Sequence, residues 1–166
     1  MNTVSLHECM LDYRTQLEKG MLQKAYQGLM EYMMDLRTHF HKMYPDYVVS
    51  GSIYAGYMDM SYFSFSPQAL KNRSLKIAVV FLHEAFRFEV WLAGSNKLVQ
   101  SKTWKMIKES GWNQYHLVTA TQGADSILEH VLVENPDFRD LGALTTQIEG
   151  GTLAFIHDVE GYLANR

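Results

Sequence analysis

Cysteine occurs once among the 166 residues, at Cys9. An intramolecular disulfide is therefore excluded, and a lone thiol fits a reducing compartment. Positive charge is in short supply as well: 15 Lys and Arg stand against 18 Asp and Glu, a net charge of −3. A chain that binds nucleic acid ordinarily carries a basic excess to neutralise phosphates, so no nucleic-acid partner is expected. No run approaches the ~18 consecutive apolar residues that cross a bilayer, and no membrane partner is expected. The N-terminus has no basic segment leading into an apolar one, so no signal peptide is read there and the expected localisation is cytoplasmic. The phosphate-cradling patterns GxxxxGK(S/T) and GxGxxG are missing, as is the GxSxG nucleophile elbow. No cofactor is expected on these grounds.

What is present is apolar and aromatic. Hydrophobic residues make up 47%, aromatics 13% and charged residues 20%, the balance of a folded globular chain. Ten methionines add side chains that fill irregular gaps in a core or make a binding surface adaptable. The length suits one domain over residues 1–166 with a core of ordinary size.

The chain is organised around LKIAVVFLHEAFRFEVWLAG, residues 75–94, which reads as two strands meeting at a tight turn near Glu84-Ala85. Leu75, Ile77, Val79 and Phe81 share one face and Ala78, Val80 and Leu82 the other, the pattern of a strand central in its sheet. In the return strand Phe86, Phe88, Val90 and Leu92 point one way and Arg87, Glu89 and Trp91 the other, a core face against an open one. Upstream, Leu6, Met10, Tyr13 and Leu17 keep helical spacing over residues 5–19, with Ser5 and Glu8 as a capping box and Gly20 as a stop. A longer helix over 21–43 is apolar around enough of its circumference to touch more than one neighbour, and Tyr44-Pro45 ends it. Strands follow over 47–54 and 57–65, the latter with Met58, Met60 and Tyr62 opposite Asp59, Ser61 and Phe63. Ser66-Pro67 reads as the cap of a short helix.

Downstream, Asn96 caps a helix that Gly111 ends. A short strand is expected over 115–118. A brief helix is expected on Ile127, Leu128, Val131 and Leu132. The last helix opens at Asn135-Pro136 and keeps phase to Tyr162 across Gly150-Gly151, which either kink it or admit another element closely. The expected class is α+β: an antiparallel sheet of four to five strands packed against N-terminal and C-terminal helices.

The candidate site is the polar side of this sheet. If the second and fourth strands present their polar parity to one side, Asp59, Ser61, Arg87, Glu89 and Trp91 share a surface. Ser50, Ser52 and Tyr54 join them from the first strand. Apolar area with a few placed polar groups is what a small-ligand pocket requires. The competing reading is a solvated face with ordinary ion pairs. Metal chemistry from Asp59, His83, Glu84 and Glu89 is a weaker candidate. Some metal-dependent nucleases pair an Asp with a Glu-x-Lys, and here Trp91 stands where that lysine would be, so no metal is expected. His39 and His41 are two apart on a helix and face ~200° apart, which rules out shared chelation. Cys9 lies on an amphipathic helix beside Glu8, without a base, and is no nucleophile candidate.

The segments Gly56-Tyr57-Met58-Asp59-Met60-Ser61-Tyr62-Phe63, Leu82-His83-Glu84 and Phe88-Glu89-Val90-Trp91-Leu92-Ala93-Gly94 follow paired N-terminal helices. In this order they resemble a small family of uncharacterised bacterial proteins of unknown function, from about Tyr13 to Leu163. The resemblance implies a bacterial, cytosolic origin and carries over no activity, cofactor or catalytic residue. Two readings stand. One is a non-catalytic module that binds a small ligand or another protein, with a homodimer expected. The alternative is a small enzyme using Asp59 and Glu89 with Arg87 in an open-face pocket.

Overall fold

The N-terminal helices start and stop where local chemistry dictates. The computed structural model describes residues 3–120 and 123–166, and the side chain of Ser50 lies outside the description. Helix α1 (Leu6–Glu18) is capped by Ser5, whose hydroxyl accepts the Glu8 N–H at 3.2 Å while the Glu8 carboxylate accepts the Ser5 N–H at 2.7 Å. Gly20, at φ +76°, turns the chain in the left-handed region that favours glycine. Helix α2 (Met21–Met43) follows at once and buries Tyr32, Met33, Leu36 and Phe40, all in its C-terminal half.

Among the described residues six strands form one antiparallel sheet. They are β1 (Val48–Tyr54), β2 (Met60–Ser66), β3 (Leu75–Leu82), β4 (Arg87–Gly94), β5 (His116–Leu117) and β6 (Leu128–Glu134), in the order β1-β2-β3-β4-β6-β5. The short helix α3 (Gln68–Lys71) links β2 to β3, α4 (Lys97–Ser110) follows β4, and α5 (Leu141–Leu163) ends the chain. Phe63, Phe65, Leu75, Ile77, Val79, Phe81, Phe88, Val90 and Leu92 form the core row of the sheet, packed with side chains of α2 and α5. The class is α+β with helices from both ends of the chain, as the sequence patterning implies.

The sheet exceeds the expected four to five strands, and β6 is the reason. Its apolar spacing resembles a helix, yet it pairs along β4 from Leu92–Leu128 to Arg87–Glu134. The register shifts between Phe88 and Glu89, where β6 advances two residues for one. This bulge puts the buried Leu128 and Val133 an odd number of residues apart, so strict alternation fails on paper. The extra residue, Leu132, is directed at α5: a Cβ on Gly151 would lie 2.6 Å from its Cδ2. Gly150-Gly151 therefore sits in an unbroken helix, and the second glycine admits the bulged leucine.

Two expected caps are displaced. Ser66 gives its hydroxyl to the Leu75 carbonyl at 3.1 Å instead of capping α3, which starts after Pro67. Asn135-Pro136 is a turn, with Asn135 at φ +47°, and α5 is capped by Asp140, whose carboxylate accepts the Ala143 N–H at 3.0 Å. Helix α4 matches its expectation, with Asn96 accepting the Val99 N–H at 2.9 Å and Gly111 closing it in the left-handed region.

A polar latch ties α2 to α5. His39 Nε2 lies 2.7 Å from Glu149 Oε2, and the Tyr44 hydroxyl donates to Glu149 Oε1. Partial burial pushes the Glu149 carboxyl up, but the hydrogen bonds from Tyr44 and His39 and the His39 charge outweigh it and hold the carboxyl below its ordinary value. A depressed folded-state value means the stabilisation is present above the unfolded value of 4.5 and is lost as pH falls through the folded one. Glu149→Gln is expected to cost about 1–2 kcal/mol at neutral pH and little in acid. Chemical denaturation of both proteins across pH checks this. A deficit that does not shrink on acidification contradicts the latch.

Candidate functional site

The strand register sorts the sequence-predicted residues onto two faces. Ser61 pairs with Phe81 and therefore belongs to the core row, whereas Tyr62 pairs with Val80, and Val80 with Glu89. Tyr54, paired with Tyr62, shares the opposite, open face with Arg87, Glu89 and Trp91. Asp59 stands just before β2 in the β1–β2 turn, where Oδ1 accepts the Tyr57 N–H at 2.9 Å. The surface expected to unite Asp59 and Ser61 with Arg87, Glu89 and Trp91 does not form. Asp59, in the β1–β2 turn, and Glu89, within β4 on the open face, are not brought together. The sign that Ser61 faces the core is its parity with Phe63 and Phe65, two large residues that must be buried.

On the core side, Ser61 is fully buried. Its hydroxyl donates to the Ala55 carbonyl at 2.5 Å and lies 2.9 Å from His83 Nε2. With the hydroxyl proton committed to the carbonyl, Oγ accepts from Nε2–H. The pair is thus a brace between two turns, with no free base to activate the hydroxyl. The His83 backbone N–H donates to the Asp59 carbonyl at 3.0 Å, and the Tyr26 ring lies beside the imidazole with ring centroids 6.3 Å apart. Burial lowers the His83 pKa, with nearby Asp59 opposing it. The Asp59 carboxyl is held below its usual range by the N–H groups of Tyr57 and Met60.

On the open face Glu89 is 2% exposed. Its Oε2 accepts Arg87 Nε at 2.6 Å and its Oε1 accepts Trp91 Nε1 at 2.9 Å. Arg87 also lies 3.8 Å from Glu134, at the solvent edge. Both Glu89 oxygens are occupied, so this carboxylate orients the indole. It is a framework group, as is Arg87. Around it, Val80, Ala78 and Trp91 form a small apolar cluster with Met60, Tyr62 and Leu82 packed against it.

Beyond Trp91 the open face sinks into a groove of about 630 Å³. Its floor is Ala78, Trp91 and Ala93; one wall is the first turn of α4 from Asn96 to Ser101, and the other is Gly123 to Asp125. Lys76 and Lys97 bring positive charge to the rim, and neither is in an ion pair among the described residues. Tyr62 lines the groove and stacks on Tyr54 with ring centroids 5.0 Å apart. Burial raises the Tyr62 phenol, helped by Tyr54 and by the negative charge of Asp125. Gly94 lets α4 close on the sheet, its N–H donating to Gln100 Oε1 at 2.7 Å.

The elements that make this groove, from β2 to the 123–125 segment, all lie within a single stretch of family-level similarity. The chain belongs to the family of the domain of unknown function DUF7000. The family model matches residues 6–163, from the first residue of α1 to the last of α5. No curated protein and no solved structure matches the chain. Membership in DUF7000 thus supplies the extent of the unit, and the site chemistry has to come from the groove. Among the described residues no group of three or more His, Cys, Asp or Glu side chains is placed to hold a metal ion. No helix of the DUF7000 chain among the described residues is long and apolar enough to cross a membrane.

Of the predicted residues, Trp91 lines the groove directly, Tyr54 supports it through Tyr62, and Glu89 with Arg87 fixes the indole from behind. Lys76, Lys97, Gln100 and Asp125 were not singled out by sequence reasoning. A signal existed for Lys76: it is the one charged residue in β3, in the same row as Ala78 and opposite Ala93. A lysine among alanines marks a place where the sheet has space above it.

Proposed function

We propose that this chain is a non-catalytic binding module whose ligand is a small organic anion with a flat apolar part, seated in the open-face groove. The observation that carries the reading is the groove of about 630 Å³, which lies within the size range of small-molecule sites. The flat part packs on the apolar floor of Ala78, Ala93 and the accessible part of Trp91, whose indole N–H is held by Glu89. The anionic group meets Lys76 and Lys97, and Asp125 with Tyr62 offers a counterpart for a hydroxyl or amine on the ligand. A cytosolic setting accords with this reading on the lone cysteine, and a bacterial origin is what the resemblance to uncharacterised bacterial proteins implies. Self-association of two chains belongs to it as well.

The experiment is a thermal-shift and calorimetric screen with a panel of aromatic and heteroaromatic carboxylates and phosphates. A ligand at a hundred times its dissociation constant stabilises the folded state by about 2.7 kcal/mol. Lys76→Glu is expected to weaken a binding compound about tenfold or more, through loss of a charge-assisted contact, while leaving the apo melting temperature nearly unchanged. A hit that binds Lys76→Glu and Lys97→Glu as tightly as wild type contradicts the proposed site.

A further inference from the structure

We infer that α1 and residues 21–36 of α2 form an arm that pairs with the same arm of a second copy of this chain, antiparallel about a two-fold axis, as a four-helix bundle. Helix α1 lies against α2, and none of its residues is buried. Leu6, Met10, Tyr13 and Leu17 fall on one face, and the first three remain 77%, 51% and 48% exposed. Met21, at the arm's tip, is 75% exposed. A helix of this length is marginal alone in water and draws its stability from tertiary packing. Yet the sequence gives α1 a complete capping box and a glycine turn into α2, the devices of a helix meant to be formed. The missing ingredient is a cover for its apolar face.

Charge says what the cover is. The tip of the arm, residues 13–28, carries Arg14, Lys19 and Lys24 against Glu18, three positive charges and one negative, or +2. The base, residues 6–12 and 29–36, carries Glu8, Asp12, Glu31 and Asp35 with no Lys or Arg, or −4. A surface with both signs segregated end to end is complementary to its own copy turned by a two-fold: each basic tip meets the partner's acidic base. Tip-to-tip or parallel pairing sets like charges together. Bundles of four helices with apolar seams are a common solution for such hairpins. The arm is remote from the groove, since Tyr26 lies beside His83, at the opposite end of β3 from Lys76. Failure of the groove reading therefore leaves this inference standing, and the reverse holds too.

The test is sedimentation equilibrium on wild type and two charge-reversed chains. One carries Lys19→Glu and Lys24→Glu at the tip; the other carries Asp12→Lys, Glu31→Lys and Asp35→Lys at the base. All five side chains are exposed, so the sheet should keep its melting transition in both. Wild type is expected to be a dimer, and each variant alone to dissociate about tenfold or more readily. An equimolar mixture of the two should recover dimer, because each reversed end then faces an opposite one. Met10→Glu, which puts a charge in the seam, should also yield monomer. A wild type that stays monomeric throughout the concentration range overturns the inference. So does a dimer indifferent to both reversals, or a mixture that fails to recover it.

Discussion

Glu89→Ala is expected to lower stability by about 2–3 kcal/mol, against about 1 kcal/mol for Glu89→Gln. Alanine removes the acceptor of Trp91 Nε1 and leaves a void in a place that is 2% exposed. Glutamine keeps the volume and still offers its amide oxygen to the indole. The full penalty for breaking a buried ion pair does not apply, because Arg87 is 35% exposed on its side chain and has Glu134 within 3.8 Å. For a chain of this size each kcal/mol is about 2–4 °C, so the alanine variant should melt roughly 5–10 °C lower. Thermal and chemical denaturation of the two variants decides the matter. A catalytic carboxylate predicts the opposite pattern, with stability unchanged or improved on removal, since functional groups are held at a cost to the fold. Equal melting of Ala, Gln and wild type would mean that Glu89 does not support the indole.

Gly94→Ala is expected to cost about 2–3 kcal/mol and to abolish ligand binding in the groove. The new Cβ would lie 2.6 Å from the Gln100 backbone nitrogen, 3.0 Å from its Cα and 3.1 Å from the Asn96 carbonyl oxygen. Backbone atoms cannot rotate away, so the first turn of α4 must move, and that turn is a wall of the groove. The hydrogen bond from the Gly94 N–H to Gln100 is strained by the same shift. Gly151→Ala is the control. Its close contact is the Leu132 Cδ2, the end of a flexible side chain, and alanine gains about 1 kcal/mol of helix propensity there. Its net effect on stability should be small, with the groove intact. If both glycine variants melt and bind alike, α4 does not depend on close approach at Gly94.

Local signals carried the helices well. Ser5 with Glu8, Asn96 and Gly111 act through contacts within three or four residues, so their roles could be read from neighbours alone. The β3–β4 hairpin was legible for the same reason, because its two rows alternate cleanly from Arg87 on; Phe86, expected on the core face of the return strand, instead lies in the turn at φ +53° and is exposed. Strand β6 was not: its bulge at Leu132 is a response to pairing with β4, distant in sequence, and it disguises a strand as a helix. The site suffered from a related problem. Whether Ser61 or Tyr62 shares a face with Glu89 depends on the β2–β3 register, which no local pattern states. The weight of Phe63 and Phe65 in the core row settles it, and polarity at Asp59 and Ser61 pointed the wrong way. The groove itself is made by what is small, Ala78, Ala93 and Gly94, and by a helix arriving from the next element.

The most direct test of the open-face site is a two-dimensional NMR titration with the anionic aromatic panel at millimolar concentration. The Trp91 indole N–H, the methyls of Ala78 and Ala93 and the amides of residues 96–101 are predicted to shift together and saturably, while the Ser61–His83 region stays still. If every compound leaves those resonances unmoved, or if saturable shifts gather around Ser61 and His83 instead, the open-face groove is not the binding site.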